Sequence, residues 1–131
     1  MKKVFTYSPN PFRNMSKRTK KLAIMNAILI VSRDRNGKNV PNKEFLKRVE
    51  ETEMILLDFF GGCTNDKINY GKFKSKKGVI IKEKIARIVC YAKIDDFKKN
   101  RLKLEKWLLE KKKEWKQEAI AYEFENDLFY F

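Results

Sequence analysis

Apolar residues recur along this chain at two spacings, one typical of strands and one typical of helices. Ile24 to Ser32 is a short run rich in Ile and bounded by charge, which predicts a buried first strand. Residues 42–60 carry apolar side chains three and four positions apart, which predicts an amphipathic first helix that ends at Gly61-Gly62. The stretch from Met54 to Phe60 could alternatively be a strand. The inward stripe of the helix comprises Phe45, Val49, Leu56 and Phe60, widened by Leu46 and Leu57.

After the glycines the pattern changes to alternation. Ile68 to Ser75 forms a short second strand, and a turn around Gly78 leads into a long third strand over Val79–Ile94. Asp95 and Asp96 are predicted to cap a second helix that runs to about Gln117. The expected core face of the third strand comprises Ala86, Ile88, Cys90, Ala92 and Ile94. The expected core stripe of the second helix comprises Phe97, Leu104, Leu108 and Trp115, with Trp107 beside it.

The C-terminal residues predict a hairpin, because Ala119–Glu125 alternates and Leu128–Phe131 can return beside it. The order of elements is then strand, helix, strand, strand, helix, strand. This order predicts an α+β, ferredoxin-like βαββαβ sandwich with two helices on one face of an antiparallel sheet. Residues 22–131 would form this single domain, preceded by a basic arm of residues 1–21.

The other face of that sheet would carry exposed side chains that a partner could contact. Arg87 and Tyr91 are expected there, together with Tyr122 or Phe124. RNA-recognition modules stack bases on such a face. Their aromatic-rich signature has no match in this chain, so the comparison concerns the fold only.

Positive charge is concentrated in the N-terminal residues. The chain has a net charge of +14, and no acidic residue precedes Asp34. Such a patch attracts polyanions, of which nucleic acid is the commonest in a cell. Aromatic rings interleave with the basic residues and could stack on bases, or could pack on the domain itself. The predicted contacts of this arm are Lys2, Lys3, Arg13, Lys17, Arg18, Lys20 and Lys21.

A second basic surface follows the second and third predicted strands. It could be a nucleic-acid groove, an ordinary soluble surface, or a docking site for an anionic protein. Lysine outnumbers arginine 24 to 7, which fits attraction to phosphates better than reading of base edges, although an AT-rich genome also encodes many lysines. The predicted nucleic-acid-binding residues here are Lys72, Lys74, Lys76, Lys77, Arg87 and Tyr91.

The composition excludes several kinds of site. The absence of histidine removes the commonest general base and metal ligand, so we expect no metal, no cofactor and no enzymatic activity. Cys63 and Cys90 have no metal-ligand spacing and are expected to be reduced thiols. No apolar run is long enough for a membrane span, and no secretory signal is recognisable, which predicts a cytoplasmic protein.

Three local patterns allow two interpretations each. Gly61, Gly62, Cys63 and Thr64 could form an anion-binding nest, or Gly61 could simply end the helix. Leu102 and Leu109 lie opposite the inward stripe of the second helix, either as scattered surface residues or as a homodimer seam. An acidic cluster on the first helix could bind the metal of a nuclease, but a solvated helix face is the better interpretation. That cluster comprises Glu50, Glu51, Glu53 and Asp58.

The segments Phe60-Gly61-Gly62-Cys63-Thr64, Tyr70-Gly71-Lys72-Phe73 and Gly78 to Glu83 together resemble small proteins of unassigned function from bacteria and their phages. The resemblance implies a phage or mobile-element origin and transfers no activity. The leading hypothesis is a non-enzymatic protein that binds nucleic acid or a nucleoprotein complex through phosphate contacts. The alternative is a phage-encoded anti-defence inhibitor, such as an anti-CRISPR, that docks on a host defence protein or sequesters its nucleotide signal in the bacterial cytoplasm.

Overall fold

A computed structural model describes residues 24–66 and 68–131 of the chain. It contains six strands and two helices in the predicted α+β arrangement. In chain order they are β1 (Ile24–Val31), α1 (Asn42–Phe60), β2 (Thr64–Asn65), β3 (Asn69–Lys74), β4 (Ile80–Ala92), α2 (Ile94–Glu114), β5 (Ala121–Phe124) and β6 (Asp127–Tyr130).

The six strands form one antiparallel sheet in which β4 and β1 are central. The order across the sheet is β2, β4, β1, β5, β6, and β3 also pairs with β4, along the same edge as β2. Leaving out β2 and β6, the order β3-β4-β1-β5 is the ferredoxin-like order. The prediction of this fold class is confirmed, and the sheet has more strands than the βαββαβ unit alone.

The core lies between the helices and one face of the sheet. Even-numbered positions of the central strands point into it, among them Ile28, Ile88 and Cys90, each fully buried. The predicted inward stripes of both helices are confirmed, because all eight of their side chains are buried. Leu46 and Leu57 do not widen the stripe of α1 as expected, since both are more than two-fifths exposed.

The helix ends agree with the sequence in one case and differ in the other. α1 ends at Gly61, whose φ of 80° is left-handed and whose amide donates to the Leu57 carbonyl at 2.8 Å. The expectation that Asp95 and Asp96 cap α2 is wrong, because the helix begins at Ile94 with Lys93 as its N-cap. Both aspartates instead lie in the first turn of α2, where their negative charge interacts favourably with the positive end of the helix dipole.

The C-terminal hairpin forms as predicted, but two of its aromatic residues face the opposite way. Tyr122 and Phe124 are 5% and 3% exposed and pack in the core, and Glu123 lies on the other face. The expectation that Tyr122 or Phe124 lies on the face away from the helices is therefore wrong.

No helix among the described residues is long and apolar enough to cross a membrane.

Candidate functional site

A groove runs across the second face of the sheet, which is the face turned away from α1 and α2. Its volume is about 950 Å³. The floor is apolar and is formed by residues of the two central strands and β5. Side chains of β3 line one side of the groove and side chains of β6 line the opposite side, because these strands lie at opposite edges of the sheet. The floor includes Leu29, Val31, Ile85 and Ala121, the β3 side includes Phe73, and the β6 side includes Leu128 and Tyr130.

The groove continues past the sheet because β1 and β5 separate. Their pairing ends at Leu29 and Ala121, whereas the pairing of β1 with β4 continues to Val31 and Ile85. Residues 117–120 turn away from β1, and one side-chain bond, from Gln117 Nε2 to the Arg33 carbonyl at 3.0 Å, spans the separation. Helix-side residues consequently line the inner end of the same groove, namely Ile30, Arg48, Trp115 and Gln117.

Glu83 places a carboxylate in the apolar part of the groove. It lies on the second face of β4 between Ile81 and Ile85, and it pairs across the sheet with Gly71, which has no side chain to cover it. Burial raises the pKa of Glu83, and the nearby charge of Arg33 only partly opposes this. Its carboxylate makes no hydrogen bond or ion pair with any described residue. A half-buried acid without a partner is suited to bind a cation.

Arg33 makes no direct bond to Glu83 because its guanidinium donates to two backbone carbonyls. Its Nε donates to the Lys82 carbonyl at 3.0 Å and its Nη1 to the Gly37 carbonyl at 2.8 Å. Next to it, Asp34 accepts hydrogen bonds from the amides of Lys38 and Asn36, and these bonds lower the pKa of Asp34. The loop that borders the groove is thus held in place by its own side chains.

Arg48 carries a positive charge to the inner end of the groove. Arg48 belongs to α1 and is only 9% exposed. Its Nε donates to Glu44 at 3.1 Å, and its guanidinium carbon lies 5.5 Å from the centre of the Trp115 ring. Its Nη1 is buried and finds no acceptor within the described part of the chain. Such an orphan donor is costly unless a ligand or a water molecule satisfies it.

A second charged cluster lies beside the groove on the same face. Arg87 donates from Nη1 to Asp66 at 2.7 Å, and from Nη2 and Nε to Glu123 at 2.7 and 3.1 Å. The hydrogen bonds that Arg87 donates to Glu123, and then the one to Asp66, raise the pKa of Arg87, against the opposing effect of burial. Two carboxylates thus compensate this guanidinium, and the cluster joins β2, β4 and β5.

Of the residues predicted to bind nucleic acid, those that the structure describes do not share one face of the sheet. The seven of the arm lie outside the described residues. Lys72 and Lys74 lie on the helix side of β3, since Lys72 pairs with Lys82, whereas Arg87 and Tyr91 lie on the second face. Lys76 and Lys77 are exposed in the turn between β3 and β4.

The residues of the proposed anion nest and of the acidic cluster on α1 do not come together in one site. The Gly61 amide is used in the helix cap, and Thr64 belongs to β2. Glu51 accepts from Lys111 at 3.0 Å and Glu53 from Asn65 at 3.0 Å. Across residues 24–66 and 68–131, no group of three or more acidic, Cys or His side chains could hold a metal.

The two leucines of the postulated dimer seam are exposed. Leu102 is 65% exposed and Leu109 is 47% exposed, both on α2. These values are compatible with a homodimer through this helix and with isolated surface residues alike, so the seam stays a prediction.

The sequence analysis missed two of the charged residues that line the groove, Glu83 and Arg48. Glu83 was detectable in principle, because it is a single acid at a position where the alternation of β4 calls for an apolar side chain. Arg48 was hidden, since basic residues on a helix are usually solvated and nothing in its local pattern indicates burial. The groove itself depends on where two strands stop pairing, which no local pattern records.

The shape of the chain is similar to that of a solved enzyme. No family model and no curated protein matches the sequence. Among solved structures, a phage SAM lyase in complex with S-methyl-5′-thioadenosine matches with a TM-score of 0.56 and 11% sequence identity. The match covers 90% of this chain and 95% of the lyase chain. At this identity the comparison establishes a shared fold.

This comparison overturns the functional expectations drawn from charge. The hypothesis of a non-enzymatic nucleic-acid binder, its inhibitor alternative and the expectation of no enzymatic activity are contradicted, because the matching fold is that of an enzyme with a small-molecule ligand. Net charge describes how a protein surface interacts with polyanions in general. It does not indicate whether a groove exists on the second face of the sheet. The chain has the fold of a phage SAM lyase.

Proposed function

We propose that this protein is a lyase that binds S-adenosylmethionine in the groove and releases S-methyl-5′-thioadenosine. The observation that carries the proposal is Glu83, a half-buried carboxylate on the apolar floor of the groove that has no hydrogen bond or ion pair with the described residues, in a chain with the fold of a SAM lyase. S-adenosylmethionine brings a sulfonium and an ammonium group, either of which can pair with this carboxylate.

The reaction needs little from the protein beyond binding. Release of S-methyl-5′-thioadenosine breaks the bond between the sulfonium sulfur and Cγ of the methionine chain, and the electron pair of that bond stays on sulfur. The α-carboxylate of the same substrate can attack Cγ and close a five-membered lactone. The leaving group is a neutral thioether and the nucleophile is already ionised, so no general acid or base is required. A chain without histidine is compatible with this chemistry.

The apolar floor of the groove favours the cleavage step. A carboxylate and a sulfonium lose their charges together as the carbon–oxygen bond forms, and a medium of low polarity stabilises that transition state relative to the charged reactant. Leu29, Val31 and Ile85 provide such a medium. At the two sides of the groove, the rings of Phe73 on β3 and Tyr130 on β6 each offer a surface on which an adenine can stack.

Glu83 is expected to act in binding and not in bond cleavage. A carboxylate near the cationic centre stabilises the bound substrate, but part of that stabilisation disappears when the sulfonium is neutralised in the transition state. Removing the charge of Glu83 should therefore raise KM strongly without lowering kcat, which is expected to stay the same or to increase.

The test is to incubate the purified chain with S-adenosylmethionine and to follow S-methyl-5′-thioadenosine by chromatography and mass spectrometry. The expected result is its formation well above the spontaneous rate, with KM raised about tenfold or more in Glu83→Gln. Glu105→Gln, an exposed acid on α2, is the matched control. Formation no faster than with heat-unfolded protein would refute the proposal.

The site of action follows from the substrate. S-adenosylmethionine is made and used inside cells, so we place the activity in the cytoplasm of a bacterial host. There it would lower the supply of this methyl donor.

A further inference from the structure

The inner end of the groove contains a binding feature that Glu83 and the apolar floor do not explain. Arg48 lines the groove, is nine-tenths buried, and leaves its Nη1 without an acceptor among the described residues. Each buried donor left unpaired costs free energy that native structures normally avoid. A donor that is retained in a groove can be satisfied by a ligand.

The surroundings of Arg48 fix both its position and its orientation. Glu44 accepts from its Nε on one side, and the ring of Trp115 lies against the guanidinium. With these contacts in place, neither Nη1 nor Nη2 has an acceptor among the described residues, so the guanidinium keeps its two terminal nitrogens as unused donors. An arginine held in this way is preorganised to bind a planar anion such as a carboxylate.

The separation of β1 from residues 117–120 connects this guanidinium with the rest of the groove. One continuous cavity joins Arg48 at the inner end to Glu83 on the second face of the sheet. An elongated ligand with a cationic centre and a terminal carboxylate would match these two charges in order.

We infer that Arg48 binds the α-carboxylate of S-adenosylmethionine at the inner end of the groove, a role that rests on the proposed function. One carboxylate oxygen accepts from the terminal nitrogens of the guanidinium, and the other stays available to attack Cγ. Arg48 is thus a substrate-binding residue that also orients the nucleophile. The adenine then extends past Glu83 along the second face of the sheet, where the ring of Phe73 lies beside Ile81.

The first experiment needs no variant. S-adenosylhomocysteine and its decarboxylated form, S-adenosyl-3-thiopropylamine, are thioethers that have no sulfonium to cleave, and they differ only in the carboxylate. Calorimetric titration of the full chain should show S-adenosylhomocysteine binding about 10- to 100-fold more tightly, the value of a charged hydrogen bond. Equal affinity for the two would overturn the role of Arg48.

The second experiment assigns the preference to the residue. In Arg48→Gln the two thioethers should bind with equal affinity, while S-methyl-5′-thioadenosine, which has no carboxylate, binds as it does to the unaltered chain. Glu50→Gln, an exposed substitution on the same helix, should keep the full preference. Circular dichroism at the assay temperature verifies that both variants are folded. A preference that persists in folded Arg48→Gln would overturn the inference.

The outcomes separate the two proposals. Binding of S-methyl-5′-thioadenosine together with its formation from S-adenosylmethionine, but without any preference for the carboxylate, would leave the lyase proposal standing and refute the role of Arg48. Absence of both binding and cleavage would refute the two together.

Discussion

Ile85 lies over Gly71 on the second face of the sheet. Its Cδ1 atom is 2.5 Å from the point that a Cβ on residue 71 would occupy, closer than real Cβ contacts come. Gly71 therefore allows the end of Ile85 to lean over β3. If this space were filled, the end of Ile85 would turn back toward Val31, its partner on β1, and both residues line the groove.

Substitution of Gly71 by Ala should consequently narrow the groove. We expect the affinity for S-methyl-5′-thioadenosine to fall severalfold, and the free energy of unfolding to fall by about 1 kcal/mol, because the displaced atom is the end of a flexible side chain. Calorimetry and urea unfolding measure the two effects. Gly62→Ala is the matched control, since a Cβ there meets no atom within 4 Å. Unchanged affinity in Gly71→Ala would show that Ile85 does not shape the site.

Glu83 should lower the stability of the unliganded protein at neutral pH. Burial raises its folded-state pKa, so the folded chain holds this proton more tightly than the unfolded chain does. Stability should therefore decrease as pH rises from the unfolded pKa through the raised folded pKa. In Glu83→Gln the free energy of unfolding does not decrease in this way, so the variant should be more stable than the unaltered chain near pH 7, although it binds ligand less well.

The pH dependence provides the control for this prediction. Below the unfolded pKa, at about pH 3.5, both states are protonated and the advantage of Glu83→Gln should disappear. Thermal unfolding at both pH values measures it, with Glu105→Gln as the exposed counterpart. Greater stability of Glu83→Gln at the acidic pH only would contradict the assignment. A residue that costs stability and aids binding is characteristic of a functional site.

The parts of the fold that the sequence predicted are those with a strong local period. The spacing of Phe45, Val49 and Leu56 predicted the first helix, because a stripe of this kind is stable only against a core, and Gly61-Gly62 predicted its observed end. The alternation of the long third strand likewise identified its buried face, including Cys90. These features depend on neighbours in the chain, which a single sequence displays.

The functional groove depends on distant relationships that no local pattern shows. It exists because pairing of β1 with β5 stops at Leu29, and because Gly71 opposes Glu83 across the sheet. The face on which Tyr122 lies was predicted wrongly for a related reason. An aromatic residue in a short strand can lie on either face, and here the face is fixed by a distant contact, the bond between its neighbour Glu123 and Arg87. The excess of lysine predicted a function for the charged surface and gave no indication of this groove.

The ion pairs of Arg87 should contribute unequally to stability. Glu123 accepts from two nitrogens of the guanidinium, whereas Asp66 accepts from one and is more exposed. Double-mutant cycles with Arg87→Met should give a coupling of about 1 kcal/mol with Glu123→Gln and about half of that with Asp66→Asn. Urea unfolding of the single and double variants measures both, and a larger coupling to Asp66 would contradict the observed geometry.

The two thiols should differ sharply in reactivity even though they lie near each other. Thr64 pairs with Val89, so continuation of that register places Cys63 opposite Cys90. Burial raises the pKa of Cys90 to about 12, and Cys63 adds to the effect. Burial, with the charge of Glu53, also raises the pKa of Cys63, which is only partly buried. At pH 8 a thiol with the pKa of Cys90 is about 0.01% thiolate, and the thiolate is the reactive form.

Iodoacetamide at pH 8 should therefore modify native protein slowly at Cys63 and leave Cys90 intact until the chain unfolds. Peptide mass spectrometry identifies the modified residue at each time point. Cys63→Ser should abolish labelling of the native state, whereas Cys90→Ser should label at the same rate as the unaltered chain. Labelling of Cys90 before Cys63 would mean that β4 separates from its neighbours more readily than its place at the centre of the sheet implies.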